Sequence, residues 1–210
     1  NLTFKNQSFL LLLQIIFLKL IVKSSKSKRW EMEIVQIKDK KFKKFIPEQE
    51  ILSSIRKIGQ EINKTLKDKN PLFISVLNGA FMFTSDLMKV VNIPCEITFI
   101  KLSSYEGLYS SGCVKEVMGL NENIVGRNVV ILEDIIDTGL TMEQIIDSLK
   151  AKGAGEIRVA TFLQKPDALQ RNIKIDYIAM KIPNEFIIGY GLDYNGYGRN
   201  LKDVYTLITD

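Results

Sequence analysis

Four consecutive apolar residues, Val129, Val130, Ile131 and Leu132, run directly into the carboxylates Glu133, Asp134 and Asp137 and then into Thr138-Gly139-Leu140-Thr141. A strand that is apolar at successive positions has to be covered on both faces, and parallel sheets between two layers of helices provide that cover. The same character recurs in LFISVL after Pro71, CEITFIKL (95–102), EIRVATFL (156–163) and IDYIAMKI (175–182). Helical patterns lie between these runs. Ile51, Ile55, Ile58, Ile62 and Leu66 recur at three- and four-residue spacing, which predicts an amphipathic helix from Pro47 to about Lys67. Phe81 to Val91 and Thr141 to Gly153 are expected to be further helices. Strand and helix patterns in alternation predict an α/β fold, a mostly parallel sheet of about five strands with helices on both faces. In such sheets ligands bind beyond the carboxyl ends of the strands.

The strand ending at Glu133 and Asp134 is the place to look for chemistry. Adjacent carboxylates repel one another and are costly to desolvate, so they need cations or hydrogen-bond donors. Sugar hydroxyls with a divalent metal nearby meet that need. The small hydroxyl and glycine residues Thr138, Gly139 and Thr141 come immediately before a helix, where converging backbone N–H groups and the helix dipole favour a phosphate. One segment therefore offers acceptors for hydroxyls, a candidate acid or base in Asp137, and a phosphate cradle. The bland alternative is a solvated strand end followed by a capped helix.

Composition removes several other chemistries. The 210 residues contain no histidine and only two cysteines, Cys95 and Cys113. Ser-His-Asp triads, Cys-His nucleophiles and His- or four-Cys zinc sites are excluded, and acid–base work falls to Asp, Glu, Lys or Tyr. The two thiols are read as reduced and without a catalytic part. The net charge of +5 arises wholly within residues 1–31. The remaining 179 residues carry 23 basic and 23 acidic side chains, so nothing there argues for nucleic acid or an anionic membrane as partner. Residues 9–22, FLLLLQIIFLKLIV, are too short for a comfortable membrane span and lack a small-residue cleavage site. We expect residues 1–31 to be upstream sequence or a non-native extension, with Met32 the native start and 32–210 a single domain. A targeting or anchor segment is the alternative.

Val129 to Met142 resembles the phosphoribosyl-pyrophosphate signature of type I phosphoribosyltransferases. LNGAFMFTSDL, SSYEG, LQKP and IPNEFIIGYGLDYNGYGRNL also occur in the family's order. Together they resemble the hypoxanthine-guanine phosphoribosyltransferases in their short bacterial form, over roughly Met32 to Asp210. The resemblance implies a cytoplasmic purine-salvage enzyme. It would move a 5-phosphoribosyl group from phosphoribosyl pyrophosphate to hypoxanthine and/or guanine, giving IMP or GMP and pyrophosphate, with Mg2+. It implies the type I core with a small hood from about 32–47 and 182–210, and a homodimer or homotetramer.

Site residues are implied by the same likeness. Glu133 and Asp134 would bind the ribose hydroxyls and, with Asp193, the metal. Asp137 would be the general base or acid, and Asp137, Thr138, Gly139, Leu140 and Thr141 would hold the 5-phosphate. Lys165, Phe186, Ile187 and Asp193 would bind the purine. Asn78, Gly79 and Arg199 would bind pyrophosphate, while Ser103, Ser104 and Tyr105 would belong to a lid that excludes water from an oxocarbenium-like transition state. Two residues depart from the family pattern. Asn78 stands where many members have lysine, which removes a cationic contact, and Glu106 stands where glycine is frequent. Two alternatives stay open: the same fold acting on xanthine or another base, and a phosphoribosyl-pyrophosphate-sensing regulator that binds nucleic acid.

Overall fold

A computed structural model describes residues 33–104 and 114–209. The expected N-terminal extension lies outside these residues, as do Tyr105, Glu106 and Cys113. Residues Ile34–Asp210 form one compact unit.

The larger sheet has six strands. Leu72–Leu77 (β3), Glu96–Ser104 (β4), Val129–Ile136 (β6), Ile157–Gln164 (β7) and Tyr177–Lys181 (β8) are parallel to one another, and Val114–Met118 (β5) adds an antiparallel edge. The order across the sheet is β5-β4-β3-β6-β7-β8. The five-stranded parallel core expected from the apolar runs is therefore present. The edge strand β5 was not anticipated; its sequence, VKEVM, is short and has no long apolar run.

The strands are apolar at successive positions because both faces are covered. Val130 and Leu132 face a cluster that includes Phe73, Phe83 and Phe162, while Val129 and Ile131 face another with Leu72, Ile74 and Val159. The helix Glu48–Thr65 (α1) puts Ile51, Ile55, Ile58 and Ile62 into the first cluster, beside Phe83 and Leu87 of Phe81–Met88 (α2). Leu140–Ala151 (α3) puts Met142, Ile145 and Leu149 into the second. Truncating any of these buried aliphatics to alanine would cost about 2–5 kcal/mol. Helix α2 stops at Met88, three residues before the expected Val91. The reason is tertiary: Asn63 on α1 donates its side-chain amide to the Val90 carbonyl (3.0 Å) and accepts the Asn92 N–H (2.9 Å), which draws the chain out of the helix.

A second, four-stranded sheet is built from both ends of the unit. Ile34–Ile37 (β1) and Lys40–Ile46 (β2) form a hairpin, and β2 pairs with Val204–Leu207 (β10), which pairs in turn with Ile187–Ile188 (β9). Its inner face holds Phe42, Ile188 and Tyr205. Asp203 ties this sheet to α1. Its buried carboxylate accepts the Glu48 N–H at 2.7 Å and pairs with Lys44 at 2.7 Å. Among the described residues no helix is long and apolar enough to cross a membrane.

Candidate active site

The carboxyl ends of β3, β6 and β7 carry the turn Asn78–Gly79, the acidic segment Glu133–Asp137 and Lys165. All lie on the edge where parallel α/β sheets bind ligands.

Strand β6 positions the acidic pair. Glu133 is only 9% exposed. Burial pushes its carboxyl well above the usual carboxylate range, and the neighbouring Asp134 charge adds to the effect. Burial raises Asp134 as well, against its hydrogen bond with Glu133, the Ile135 N–H donated at 2.9 Å, and the Arg199 charge. The pair is thus short of positive or donating partners, and a cation or a pair of hydroxyls would relieve it.

The chain next turns through Asp137 to Gly139, the N-terminal cap of α3. Gly139 has φ +82°, in the left-handed region that glycine tolerates without strain. The N-cap Gly139 has no side chain to accept a hydrogen bond, and Thr138 Oγ1 takes the Leu140 N–H only at 3.4 Å, so the N–H groups of this turn favour an anion. Glu133, Ile135 to Gly139, Thr141 and Met142 line a cleft of about 100 Å3, the size of a small anion's seat more than of a whole nucleotide.

Lys165 follows β7. Its Nζ lies 3.2 Å from Asp137 Oδ2, and its side chain is 10% exposed against 46% for Asp137. The backbone holds the two together: the Lys165 N–H donates to the Ile136 carbonyl at 3.0 Å, and the Gln170 N–H to the Thr138 carbonyl at 3.0 Å. A lysine before a proline reads from sequence as a solvated loop charge. Here it is buried and aimed at the candidate acid–base group.

The tail contributes the remaining groups. Arg199 Nη2 pairs with Asp193 Oδ1 at 2.6 Å and its Nη1 donates to the Gly191 carbonyl at 2.7 Å, while Asp193 Oδ2 accepts the Gly196 N–H at 2.6 Å. Asp193 is thereby engaged by Arg199 and its own loop. Among the described residues no group of three or more acidic or sulfur side chains converges as a metal cluster. Phe186 is 47% exposed, supported by Phe42 (centroids 6.2 Å) and edge-on by Tyr194 (6.0 Å), with Lys40 Nζ 5.8 Å from its ring centroid. Ile187 beside it is buried in the core.

Gly79 packs directly on the acidic pair. A Cβ built there would lie 1.5 Å from Asp134 Oδ2. Asn78 is exposed, and the Leu77–Asn78 peptide is cis. Ser103 and Ser104, expected in the lid, close β4 and pair with Lys115 and Val114 of β5. Sequence reasoning missed Lys40, Asp86 and Tyr190. Only the glycines that flank Tyr190 hinted at an unusual backbone there.

The chain is similar to known proteins over most of its length. The phosphoribosyl transferase domain matches residues 43–195. A hypoxanthine-guanine phosphoribosyltransferase of Streptococcus pyogenes serotype M3 is 43% identical over 161 residues, 76% of this chain and 89% of the relative. The crystal structure of a hypoxanthine phosphoribosyltransferase from Staphylococcus aureus superposes with a TM-score of 0.75 at 34% identity, over 79% of this chain and 90% of that one. A hypoxanthine-guanine phosphoribosyltransferase structure from Bacillus anthracis, with a HEPES molecule in its active site, gives 0.75 at 32% identity, over 84% and 100%.

Proposed function

The chain belongs to the phosphoribosyl transferase family, and from that membership we propose that it is a purine-salvage enzyme that transfers a 5-phosphoribosyl group from phosphoribosyl pyrophosphate to hypoxanthine and/or guanine, giving IMP or GMP and pyrophosphate. The observation that carries the reading is the buried Lys165 held 3.2 Å from Asp137, on the turn that joins the desolvated Glu133–Asp134 pair to the N-terminus of α3.

In this reading the 5-phosphate sits on the N–H groups of Asp137 to Thr141, and Glu133 and Asp134 accept the ribose hydroxyls. Phe186 stacks on the purine, Ile187 contacts it, and Lys165 donates to the exocyclic oxygen. A purine ring nitrogen bonds to the anomeric carbon as the bond from that carbon to pyrophosphate breaks. The proton on the ring passes to Asp137, whose Oδ2 lies 3.2 Å from Lys165 Nζ. Arg199 and the Asn78–Gly79 turn receive the negative charge that develops on pyrophosphate. Asn78 brings no cation, so Arg199 carries more of this task than a lysine-bearing turn would ask of it.

Mg2+ fits the donor set. Glu133 and Asp134 are oxygen donors in want of a cation, Asp193 stands near Arg199, and a site with few protein ligands suits an ion that keeps its waters and binds substrate phosphates. When bound it would supply charge neutralisation of the diphosphate. Ser103 and Ser104, at the end of β4, would lead into the lid expected to keep water from the sugar. The exposed apolar side chains of Phe81, Ile97 and Phe99 support assembly as a homodimer or homotetramer; light scattering that finds a monomer would overturn this. The enzyme is expected in the cytoplasm, to be checked by cell fractionation.

The deciding experiment assays the purified chain with phosphoribosyl pyrophosphate, Mg2+ and hypoxanthine, guanine, xanthine or adenine. Turnover with hypoxanthine or guanine is expected. Turnover with adenine alone, or with none of the four, would refute the assignment.

A further inference from the structure

The segment Gly189-Tyr190-Gly191 has φ values of +95°, +49° and +99°. Two glycines adopt such angles freely, but a tyrosine seldom does, so its surroundings must hold it there. Tyr190 is 1% exposed, and its ring lies 4.9 Å from Phe162 between centroids. Its hydroxyl donates to Asp86 Oδ2 on α2 at 2.6 Å, and the other carboxylate oxygen of Asp86 takes Lys89 at 2.7 Å. Burial and the Asp86 hydrogen bond push the phenol's ionisation far above its usual range, so it stays a neutral donor.

What hangs on this anchor is the pyrophosphate side of the site. The Tyr190 N–H donates to Leu201 O at 2.7 Å, and the Gly191 N–H to Arg199 O at 2.9 Å. The Gly191 carbonyl accepts Arg199 Nη1 at 2.7 Å. The other side of Gly191 lies against the Asn78–Gly79 turn, where a Cβ on Gly191 would be 2.1 Å from Gly79 O. Helix α2 begins at Phe81, two residues after Gly79. The phenol therefore fastens the tail loop to the helix that the turn leads into. It fixes how far Arg199 stands from Gly79, two segments more than a hundred residues apart.

We propose that Tyr190, through Asp86, is a positioning residue for pyrophosphate recognition: it sets the spacing of the Arg199 guanidinium and the Asn78–Gly79 turn. The proposal rests on the assignment of those two groups to pyrophosphate. A merely structural tyrosine would change stability and leave the substrates equally affected. A positioning one separates them.

The test compares Tyr190→Phe, Asp86→Ala, Asp86→Asn and Arg199→Gln in steady-state kinetics in both directions. A hydrogen bond to a charged group is worth about a tenfold factor or more. Tyr190→Phe should raise KM for phosphoribosyl pyrophosphate, and for pyrophosphate in the reverse reaction, about tenfold, with KM for hypoxanthine within about twofold of wild type. Asp86→Ala should reproduce that pattern and, if Tyr190→Phe does not fold, serves in its place. Asp86→Asn keeps an acceptor and should recover most of the effect, and Tyr190→Phe with Asp86→Ala should be no worse than the single changes. If Arg199→Gln raises KM for phosphoribosyl pyrophosphate but Tyr190→Phe and Asp86→Ala only lower Tm, the positioning role is wrong and the site assignment stands. If Arg199→Gln leaves that KM unchanged, the pyrophosphate assignment itself fails. Equal rises for hypoxanthine and phosphoribosyl pyrophosphate in Tyr190→Phe would also overturn the proposal.

Discussion

Replacing Gly79 with alanine should disable the sugar-diphosphate side of the site while leaving a folded protein. The backbone there is not left-handed, so alanine is not excluded by its φ angle. The obstacle is contact. The new Cβ would lie 1.5 Å from Asp134 Oδ2 and 2.4 Å from its Cγ, where ordinary contact begins near 3.4 Å. Some group must retreat by roughly 2 Å to reach a van der Waals distance. Asp134 has little freedom, because Oδ1 accepts the Ile135 N–H and Glu133 is packed beside it. The turn cannot yield freely either, because Gly191 rests on the Gly79 carbonyl. Overpacking of this kind costs about 1–3 kcal/mol. At about 2–4 °C per kcal/mol for a chain of this size, Tm should fall by roughly 2–12 °C. A displacement of about 1 Å among reacting groups can cost about a hundredfold, so kcat/KM for phosphoribosyl pyrophosphate should drop by at least about that factor. Gly126→Ala is the control. Its φ is +70° and a Cβ there meets nothing within 4 Å, so it should lose about 1–2 kcal/mol from the left-handed backbone alone, with kinetics unchanged. Calorimetry and steady-state kinetics on both variants decide the matter. A folded Gly79→Ala enzyme with kcat/KM for phosphoribosyl pyrophosphate within about threefold of wild type would refute the claim that this glycine seats Asp134 against the diphosphate turn.

Three further perturbations separate the other roles. Asp137→Ala should lower kcat by roughly a hundredfold to ten-thousandfold, the usual worth of a general acid or base; near wild-type turnover would remove that role. Lys165→Ala should raise KM for hypoxanthine by about ten- to a hundredfold, from the loss of one charged hydrogen bond, and a change confined to phosphoribosyl pyrophosphate would contradict the base-pocket assignment. Asp203→Asn addresses acid stability. Burial alone would raise this carboxyl, but Lys44, the Glu48 N–H and Lys202 together hold it below the usual value. A carboxyl lowered in the folded state stabilises above its unfolded pKa of about 3.9, and that contribution is lost as pH falls through the folded value. The variant should therefore be about 1.5–3 kcal/mol less stable at neutral pH, with the gap to wild type closing below about pH 4. Chemical denaturation at several pH values measures this, and a gap that stayed constant into acid would count against the Asp203 contacts.

Much of the core was legible because burial on both faces leaves a direct trace in sequence. Val129 to Leu132 and Leu72 to Val76 are apolar at every or nearly every position only when helices cover both sides, and α1 shows its inner face in the spacing of Ile51, Ile55, Ile58 and Ile62. The stretch from Glu133 to Thr141 stood out for a chemical reason, since adjacent carboxylates at a strand end are costly unless a cation or donor meets them. The edge strand β5 was not, because a short strand at a sheet margin needs no apolar run. The early end of α2 was not, because Asn63, far off in sequence, imposes it. Lys165 was legible only through family resemblance. Its burial depends on the packing of 165–170 against 136–139, and nothing local to LQKP encodes that.

The two sheets divide the work, and the division explains why the tail matters. Groups that would hold sugar and phosphate, and that would move a proton, stand on the larger sheet at the ends of β3, β6 and β7. Phe186 and Ile187, which would face the base, lead into and belong to the smaller sheet, where β9 is only Ile187–Ile188 and is held by β10. A two-residue strand cannot fix an aromatic ring by itself. The ring is fixed by Phe42 from β2, by Tyr194 from the tail, and by Lys40 over both rings, at 5.8 Å from Phe186 and 5.1 Å from Tyr194. Tyr194 in turn donates to Asp39 at 3.1 Å in the β1–β2 turn. The proposed base platform would therefore be assembled from residues near both ends of the compact unit. The proposed phosphate cradle would need only the short continuous segment from Asp137 to Thr141. Loss of the β1–β2 hairpin should accordingly weaken purine binding before it weakens the grip on the 5-phosphate.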